Sequence, residues 1–472
     1  MKFSFYNTLK HRIEQFKPLN KAEVKLYTCG PTVYNHAHIG NLRAYLSADI
    51  LKRALQFNDY DVNWVMNITD IDDKTIANTI KEHGNSANVE NLKEFTNRFY
   101  QIFLEDLKKI NIEPKDISFV KVTEKIADIQ EYIVKLMEKG YAYKTEDGST
   151  YFSIAKYQKD FGDYGDLVGE KFIEGKKIGA RVKVDEYDKE NLSDFALWKA
   201  HGDDDAEIFW DHPVLGKGRP GWHIECTLIN YYKFPSGTDI HTGGIDLLFP
   251  HHTNEIAQGQ ALYRPYVNYW MHSDHIQVKG TKMAKSAGNF LLLSNLEQRY
   301  INPLAFRYLI LQSHYKSKLN ITDESLAAAQ SGYNNIIKEI SKLKNESNPS
   351  ITATPNAILV DKFRQAINND LNTSEATAII FKILDSEISV EEKLQTLYKI
   401  DEVLGLSLEN SYAPDIIKIS DLPEKIQILI QKRDAARKNK DYSASDQLRS
   451  ELEELGYLVE DSPKGTKVQR KP

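Results

Sequence analysis

Four groups of residues in this 472-residue chain have the types and spacing that chemistry requires. The first is Cys29-Gly-Pro-Thr-Val-Tyr-Asn-His-Ala-His-Ile-Gly-Asn41. It lies where a strand pattern, Glu23–Thr28, gives way to a helical one, so backbone N–H groups and the positive end of a helix dipole face a common point. That is a ready-made anion site, suited to the phosphates of a nucleotide. His36 and His38 can donate hydrogen bonds to those phosphates, and Gly40 lets a flat ring approach the backbone. The second group is Thr281-Lys-Met-Ala-Lys-Ser286, bracketed by Gly280 and Gly288. Lys282 and Lys285 make a cationic arm able to stabilise charge that develops on a phosphate in a transition state.

The third group has the look of a metal site. His251 and Glu255 lie four apart and share one face of a helix. Cys226 lies 25 residues earlier and Cys29 a further 197 before that. Two thiolates, an imidazole and a carboxylate make a plausible zinc set. Spacing does not choose between His251 and its neighbour His252, and no Cys-x-x-Cys pair is present. The fourth group, Gly243-Gly-Ile-Asp246, follows a strand ending at His241 and suits a nucleotide ribose. Thr69-Asp-Ile-Asp-Asp-Lys74 lacks the glycine and final glutamate of a calcium loop, which excludes that reading. Taken singly, each group also has an ordinary explanation: a turn, a solvated loop, two buried thiols, a tight bend.

These groups need elements to hold them. Leu42, Tyr45, Leu46, Ile50, Ala54 and Leu55 recur at intervals of three and four, which predicts a helix over about 39–57. Glu23–Thr28 and Asp61–Asn67 read as flanking strands, and strand, helix, strand in succession implies a parallel sheet. Thr123–Lys139 reads as an amphipathic helix closed by Gly140, and Tyr141–Ile154 as a hairpin around Asp147-Gly148. Residues of about 115–220 are expected as an insertion, after which the sheet resumes at Asp239–His241 and His275–Lys279. Beyond Pro303 the pattern is helical, with linkers at Asn345–Pro355 and Ser407–Ser420. From Leu422 a basic and acidic helix pair precedes a short tail with Pro463-Lys-Gly465.

Composition narrows the class. A hydrophobic share of 41% and a charged share of 27% exclude disorder and a fibre. No apolar run approaches the roughly 20 residues that span a bilayer, and the start, Met1-Lys-Phe-Ser-Phe-Tyr-Asn, has no signal-peptide core. Cys29 and Cys226 are the only cysteines, which excludes a disulfide framework and fits a reducing cytoplasm. The net charge of −6 leaves nucleic-acid binding open, because a local basic surface suffices.

The order Cys29…His38-Ile-Gly-Asn41…Trp222-His-Ile-Glu-Cys226…His251-His-Thr-Asn-Glu255…Lys282-Met-Ala-Lys-Ser286 resembles the class I aminoacyl-tRNA synthetases, and within them the cysteinyl-tRNA synthetase family. The likeness runs over nearly the whole chain, from Phe5-Tyr-Asn-Thr-Leu9 through Asn67-Ile-Thr-Asp-Ile-Asp-Asp-Lys74 to Gly465-Thr466. It implies an α/β protein: a Rossmann-like parallel-sheet catalytic domain (1–302) with an inserted α+β subdomain, a helical bundle (303–406) and a small C-terminal tRNA-binding domain (421–472). The implied reaction joins L-cysteine to ATP as cysteinyl-adenylate, releases pyrophosphate, and transfers cysteine to the 3′ end of tRNA-Cys.

Residue by residue, the resemblance makes His38, Lys282 and Lys285 catalytic. It places ATP, with Mg2+, against His36, His38, Gly40, Asn41, Gly243, Asp246, Lys282 and Lys285. Asn41 stands where the signature carries histidine, and Ala284 where it carries serine. Cys29, Cys226, His251 and Glu255 fall on the family's zinc ligands, which selects His251 over His252; Thr253 departs from the family's His-Glu-Asn-Glu run. Zinc binds a thiolate and holds an alcohol weakly, so it separates cysteine from serine where shape alone does so poorly. Four protein ligands ordinarily close a zinc site, so this use requires a fifth position or a looser Glu255. Thr69 and Trp222 are implied for the amino-acid pocket. Arg433, Arg437, Lys438 and Tyr442 are implied for tRNA, with Tyr442 and Val468 where the family carries tryptophans. A cytoplasmic monomer with no membrane contact is expected.

Two rivals follow from the same motifs. A ligase that joins cysteine to a small amino-sugar acceptor would not need the long chain after Pro303. A catalytically inactive tRNA-binding relative would be marked by loss of Lys282, Lys285 or a zinc ligand, and all are present.

Overall fold

The computed structural model describes residues 2–162, 164–169, 177–181, 191–263, 266–282, 290–411, 416–417, 419–439, 441–462 and 465–470. These divide into two compact units, Met1–Tyr333 with Ser347–Leu408, and Asn334–Glu346 with Glu409–Pro472.

At the centre of the larger unit five strands form a parallel sheet: β1 (Val24–Thr28), β2 (Val62–Ile68), β3 (Ile117–Lys121), β4 (Thr238–Gly244) and β5 (Val267–Ser273). Their order is β5-β4-β1-β2-β3, with every neighbouring pair parallel. The chain therefore winds outward in both directions from β1, and the change of direction falls between β1 and β4. In such sheets ligands bind at that point, beyond the strands' carboxyl ends. Helix α1 (Ile39–Phe57) makes the crossover from β1 to β2 and buries Leu42, Tyr45, Leu46, Ile50, Ala54 and Leu55, as its periodicity requires.

The sheet departs from the sequence expectation at one edge. Ile276–Val278 is a strand, but it pairs with Thr281–Lys282 and Leu319–Ile321 in a separate three-stranded sheet. The edge strand is β5, whose Asn268, His272 and Ser273 interrupt the apolar run that a buried parallel strand ordinarily shows. β3 also belongs to the parallel sheet, although it falls inside the stretch expected as an insertion. Ala142–Lys144, Thr150–Phe152, Asn191–Ala200 and Gly218–Pro220 form an antiparallel sheet. Its first turn holds Gly148 at φ +86°, where a side chain is strained.

Helices Pro303–Leu311, Asp323–Glu346, Ala357–Asn368, Thr373–Leu384 and Val390–Leu404 follow. In the smaller unit, helices Glu424–Lys438 and Tyr442–Glu454 pack on a hairpin of Tyr457–Ser462 and Gly465–Arg470, where the sequence suggested only a tail. Ile426, Ile430, Leu452, Val459 and Val468 form its core. The charges of Glu460, Asp461, Lys467 and Arg470 conceal the hairpin's alternation. No helix among the described residues is long and apolar enough to cross a membrane.

Candidate active site

β1 ends at the switch point, where the Cys29 N–H donates to the Thr242 carbonyl of β4 at 3.2 Å. Gly30 is confined to glycine there, since a Cβ would lie 1.8 Å from the Asn67 carbonyl oxygen. Helix α2 (Trp222–Lys233) carries Cys226; helix α3 (Thr253–Leu262) carries Glu255, and the turn before it His251. All four side chains are buried and gather at one point. Cys29 Sγ lies 3.5 Å from Cys226 Sγ and 3.5 Å from Glu255 Oε1. His251 Nε2 lies 3.4 Å from Cys226 Sγ and 3.3 Å from Glu255 Oε1. For metal bonds of roughly 2.0–2.3 Å, tetrahedral edges come to roughly 3.3–3.8 Å, so these atoms fit one four-coordinate ion.

Electrostatics agree with that use. Burial pushes the His251 ring down to about 4 and holds the imidazole neutral, with a lone pair for a metal. Burial drives the Glu255 carboxyl upward, yet the neighbouring imidazoles of His241 and His251 and the Tyr266 hydroxyl bring it below its ordinary value. Burial also raises both thiols. A cation at the centre reverses that effect and favours thiolates.

Besides His252, already weighed in the sequence as the rival of His251, the surroundings contain residues that sequence reasoning missed. Glu255 Oε2 accepts from His241 Nε2 at 3.1 Å and from the Tyr266 hydroxyl at 3.1 Å. A carboxylate only accepts, so His241 carries its proton on Nε2. His252 Nε2 lies 3.3 Å from Cys29 Sγ, its Nδ1 is 2.7 Å from His272 Nε2, and His272 Nδ1 is 2.9 Å from Thr8 Oγ1. Cys29, His241, His252 and Glu255 thus form a second gathering of ligand atoms. Its distances scatter from 3.1 to 4.0 Å, and His241 Nε2 is already a donor. His223 Nδ1 lies 2.9 Å from His251 Nδ1. The signal for these residues was the density of histidine between 223 and 272; their pairing needed the fold.

Of the two residues implied for the amino-acid pocket, Trp222 meets this centre and Thr69 bonds to Glu225, the neighbour of Cys226 in the chain. Trp222 lies over His251 with ring centroids 4.3 Å apart. The Thr69 hydroxyl donates to Glu225 Oε2 at 2.9 Å and accepts from Asn67 Nδ2 at 3.1 Å. Among the nucleotide candidates, His38 caps α1: its Nδ1 accepts from the Asn41 N–H at 3.1 Å, while Asn41 Oδ1 accepts from the His38 N–H at 3.2 Å. His36 packs edge-on to Phe99 and His38 to Phe290, and Gly40 lies in the first turn of α1. Gly243 leaves room for His252, whose Cε1 would be 2.6 Å from a Cβ there. Asp246 sits in the short turn after β4. Lys282 closes a short strand; its side chain, and all of Lys285, lie outside the described residues.

In the smaller unit the implied tRNA contacts separate. Arg437 is 41% exposed, Tyr442 is 62% exposed and Lys438 is exposed. Arg433 is fully buried and pairs with Asp461 through both terminal nitrogens, so it serves this unit's core and does not reach phosphate.

The fold is that of the class I aminoacyl-tRNA synthetases. The methionyl-tRNA synthetase of Mycobacterium tuberculosis in complex with methionyl-adenylate matches with a TM-score of 0.54 at 14% identity, covering 82% of this chain and 90% of that one. An Agrobacterium radiobacter LeuRS in a ternary complex with tRNA and LeuAMS matches with a TM-score of 0.57 at 11% identity, covering 84% and 85%. The sequence narrows the class. The family described as "tRNA synthetases class I (C) catalytic domain" matches residues 15–331, and "Cysteinyl-tRNA ligase anticodon binding domain" matches residues 420–468. The cysteine–tRNA ligase of Chlamydia felis is 42% identical over 98% of this chain and 97% of its own length. That of Brachyspira hyodysenteriae is 39% identical over 99% of each. The chain belongs to the cysteine–tRNA ligase family.

Proposed function

We propose that the protein activates L-cysteine with ATP and Mg2+ to cysteinyl-adenylate, releases pyrophosphate, and transfers cysteine to the 3′ end of tRNA-Cys. The observation that carries the reading is the tetrahedron of Cys29, Cys226, His251 and Glu255 at the switch point of the sheet. Its sulfur-rich donor set suits zinc. Zinc held there supplies a preference for the thiolate of cysteine over the hydroxyl of serine. Trp222, over His251, closes one side of the amino-acid pocket, and Thr69 orients Glu225 beside it.

The nucleotide is proposed to lie along the N-terminus of α1, contacting His36, His38, Gly40 and Asn41, with Gly243 and Asp246 toward the ribose. Lys282 and Lys285 meet the phosphates. Because His38 Nδ1 accepts from the Asn41 N–H, the ring proton sits on Nε2, which serves as the donor to a phosphate oxygen. Attack by the cysteine carboxylate on the α-phosphorus, which expels pyrophosphate, followed by attack of the terminal ribose hydroxyl on the acyl carbon, which breaks the acyl–phosphate bond and expels AMP, needs positioning and charge stabilisation alone. Arg437, Lys438 and Tyr442 are proposed to meet the tRNA. Two reduced cysteines suit a cytoplasmic enzyme, and we assign it as a monomer.

The test is aminoacylation of a tRNA-Cys transcript with labelled cysteine, ATP and magnesium, with serine as the comparison. Charging with cysteine and not serine is expected. Cysteine-dependent pyrophosphate exchange without charging would move the assignment to a small-acceptor ligase. Absence of both activities would leave an inactive relative.

A further inference from the structure

We propose that Tyr266, together with His241, holds the outer oxygen of Glu255 so that this ligand binds through one oxygen and makes way for the cysteine sulfur. Tyr266 is then a positioning residue for substrate selection. The proposal rests on the zinc reading above. A cage of four protein ligands is closed, and a substrate sulfur needs a position in it. Glu255 is the only oxygen ligand among the four, and its two oxygens have different surroundings. Oε1 faces Cys29 at 3.5 Å and His251 at 3.3 Å. Oε2 is turned away and accepts from His241 Nε2 and the Tyr266 hydroxyl, each at 3.1 Å. Two donors on Oε2 oppose bidentate binding and draw charge from the carboxylate, which weakens its hold on a metal.

An independent feature supports the same assignment. Gly259 lies one turn beyond Glu255 in α3, where glycine costs about 1 kcal/mol relative to alanine. A Cβ at that position would come within 2.4 Å of the Tyr266 ring and contact three of its atoms at 2.7 Å or less. Glycine here admits the Tyr266 ring to the helix surface, and from there its hydroxyl reaches Glu255. Tyr266 and Gly259 are both buried, so neither serves a surface contact.

The experiment compares wild type, Tyr266→Phe and Gly259→Ala as full-length protein. Zinc content, zinc release to a chelator, and the KM values for cysteine and ATP in pyrophosphate exchange are measured. Removing the hydroxyl, or displacing the ring, leaves His241 as the one donor of this pair on Oε2 and returns charge to the carboxylate, which tightens its hold on the metal. Both variants are expected to keep one zinc per chain, release it more slowly, and show a KM for cysteine raised about tenfold with that for ATP unchanged. In cobalt-substituted protein the visible absorption change on adding cysteine should require about tenfold more cysteine. A merely structural Tyr266 would instead speed metal loss. Faster zinc release in both variants, or an unchanged cysteine KM with zinc in place, overturns the proposal. Wild-type protein that holds no zinc after reconstitution would remove the zinc reading itself.

Discussion

Arg433 and Asp461 form a two-pronged ion pair, Nη1 to Oδ1 at 2.9 Å and Nη2 to Oδ2 at 2.6 Å, that joins helix Glu424–Lys438 to strand Tyr457–Ser462. The guanidinium is buried, whereas the carboxylate is about a third exposed and also meets Arg437 at 3.1 Å. Arg433→Ala should therefore destabilise the smaller unit by about 2–3 kcal/mol, less than the roughly 3–5 for a fully buried pair because Asp461 keeps water and a second partner. Arg437→Ala should leave stability nearly unchanged while raising the KM for tRNA and flattening its salt dependence. Urea unfolding and charging kinetics of the two variants check this. Equal stability losses would contradict it.

Cys226 occupies a corner of the proposed zinc tetrahedron. Cys226→Ser should lower the zinc content from about one per chain to a small fraction and weaken discrimination against serine. Chelation of the wild type should lower its Tm, and added zinc should restore it, because a ligand bound only to the folded state stabilises that state. Metal analysis and thermal melts, with and without chelator, decide it. A Tm indifferent to zinc would count against the site.

Asp70 gives a pH signature separate from the metal. Burial lifts its carboxyl from 3.8 to about 6, despite hydrogen bonds from the Thr123 N–H at 2.9 Å and hydroxyl at 2.5 Å. Between those pH values the folded chain keeps a proton that the unfolded chain has lost. This group's contribution is therefore full below about pH 4 and falls as pH rises toward 6, by at most about 3 kcal/mol. Asp70→Asn should match the wild type near pH 4 and exceed it in stability above pH 6. Urea unfolding at a series of pH values measures the difference, from which other titrating groups cancel.

The gathering of Cys29, Cys226, His251 and Glu255 was expected only through the family resemblance, since spacing alone left His251 and His252 open, whereas α1 was legible because its apolar spacing is regular. β5 was not, since Asn268, His272 and Ser273 break its apolar run and Trp270 is buried only through tertiary packing. The roles of Tyr266 and His241 were equally hidden. Nothing in the spacing of a tyrosine and a histidine says that both donate to one oxygen of Glu255. Arg433 was misread for a related reason. A cationic helix looks alike in sequence whether its arginines face water or Asp461, and only the hairpin after Gly456 settles which.

His38 has two separable roles, and a pair of substitutions can divide them. Its Nδ1 accepts from the Asn41 N–H as the N-terminal cap of α1, and its Nε2–H is proposed to serve the phosphates. A capping residue exchanged for alanine costs about 1 kcal/mol, whereas serine or asparagine keeps the cap. His38→Asn should therefore hold stability within about 0.5 kcal/mol of the wild type and still lose pyrophosphate exchange by a factor of about 10²–10³, in the range for one missing transition-state donor. His38→Ala should lose as much activity and also unfold earlier. If His38→Asn kept near-normal exchange, the ring would be a cap and nothing more. The phosphate contact would then pass to His36 and the two lysines.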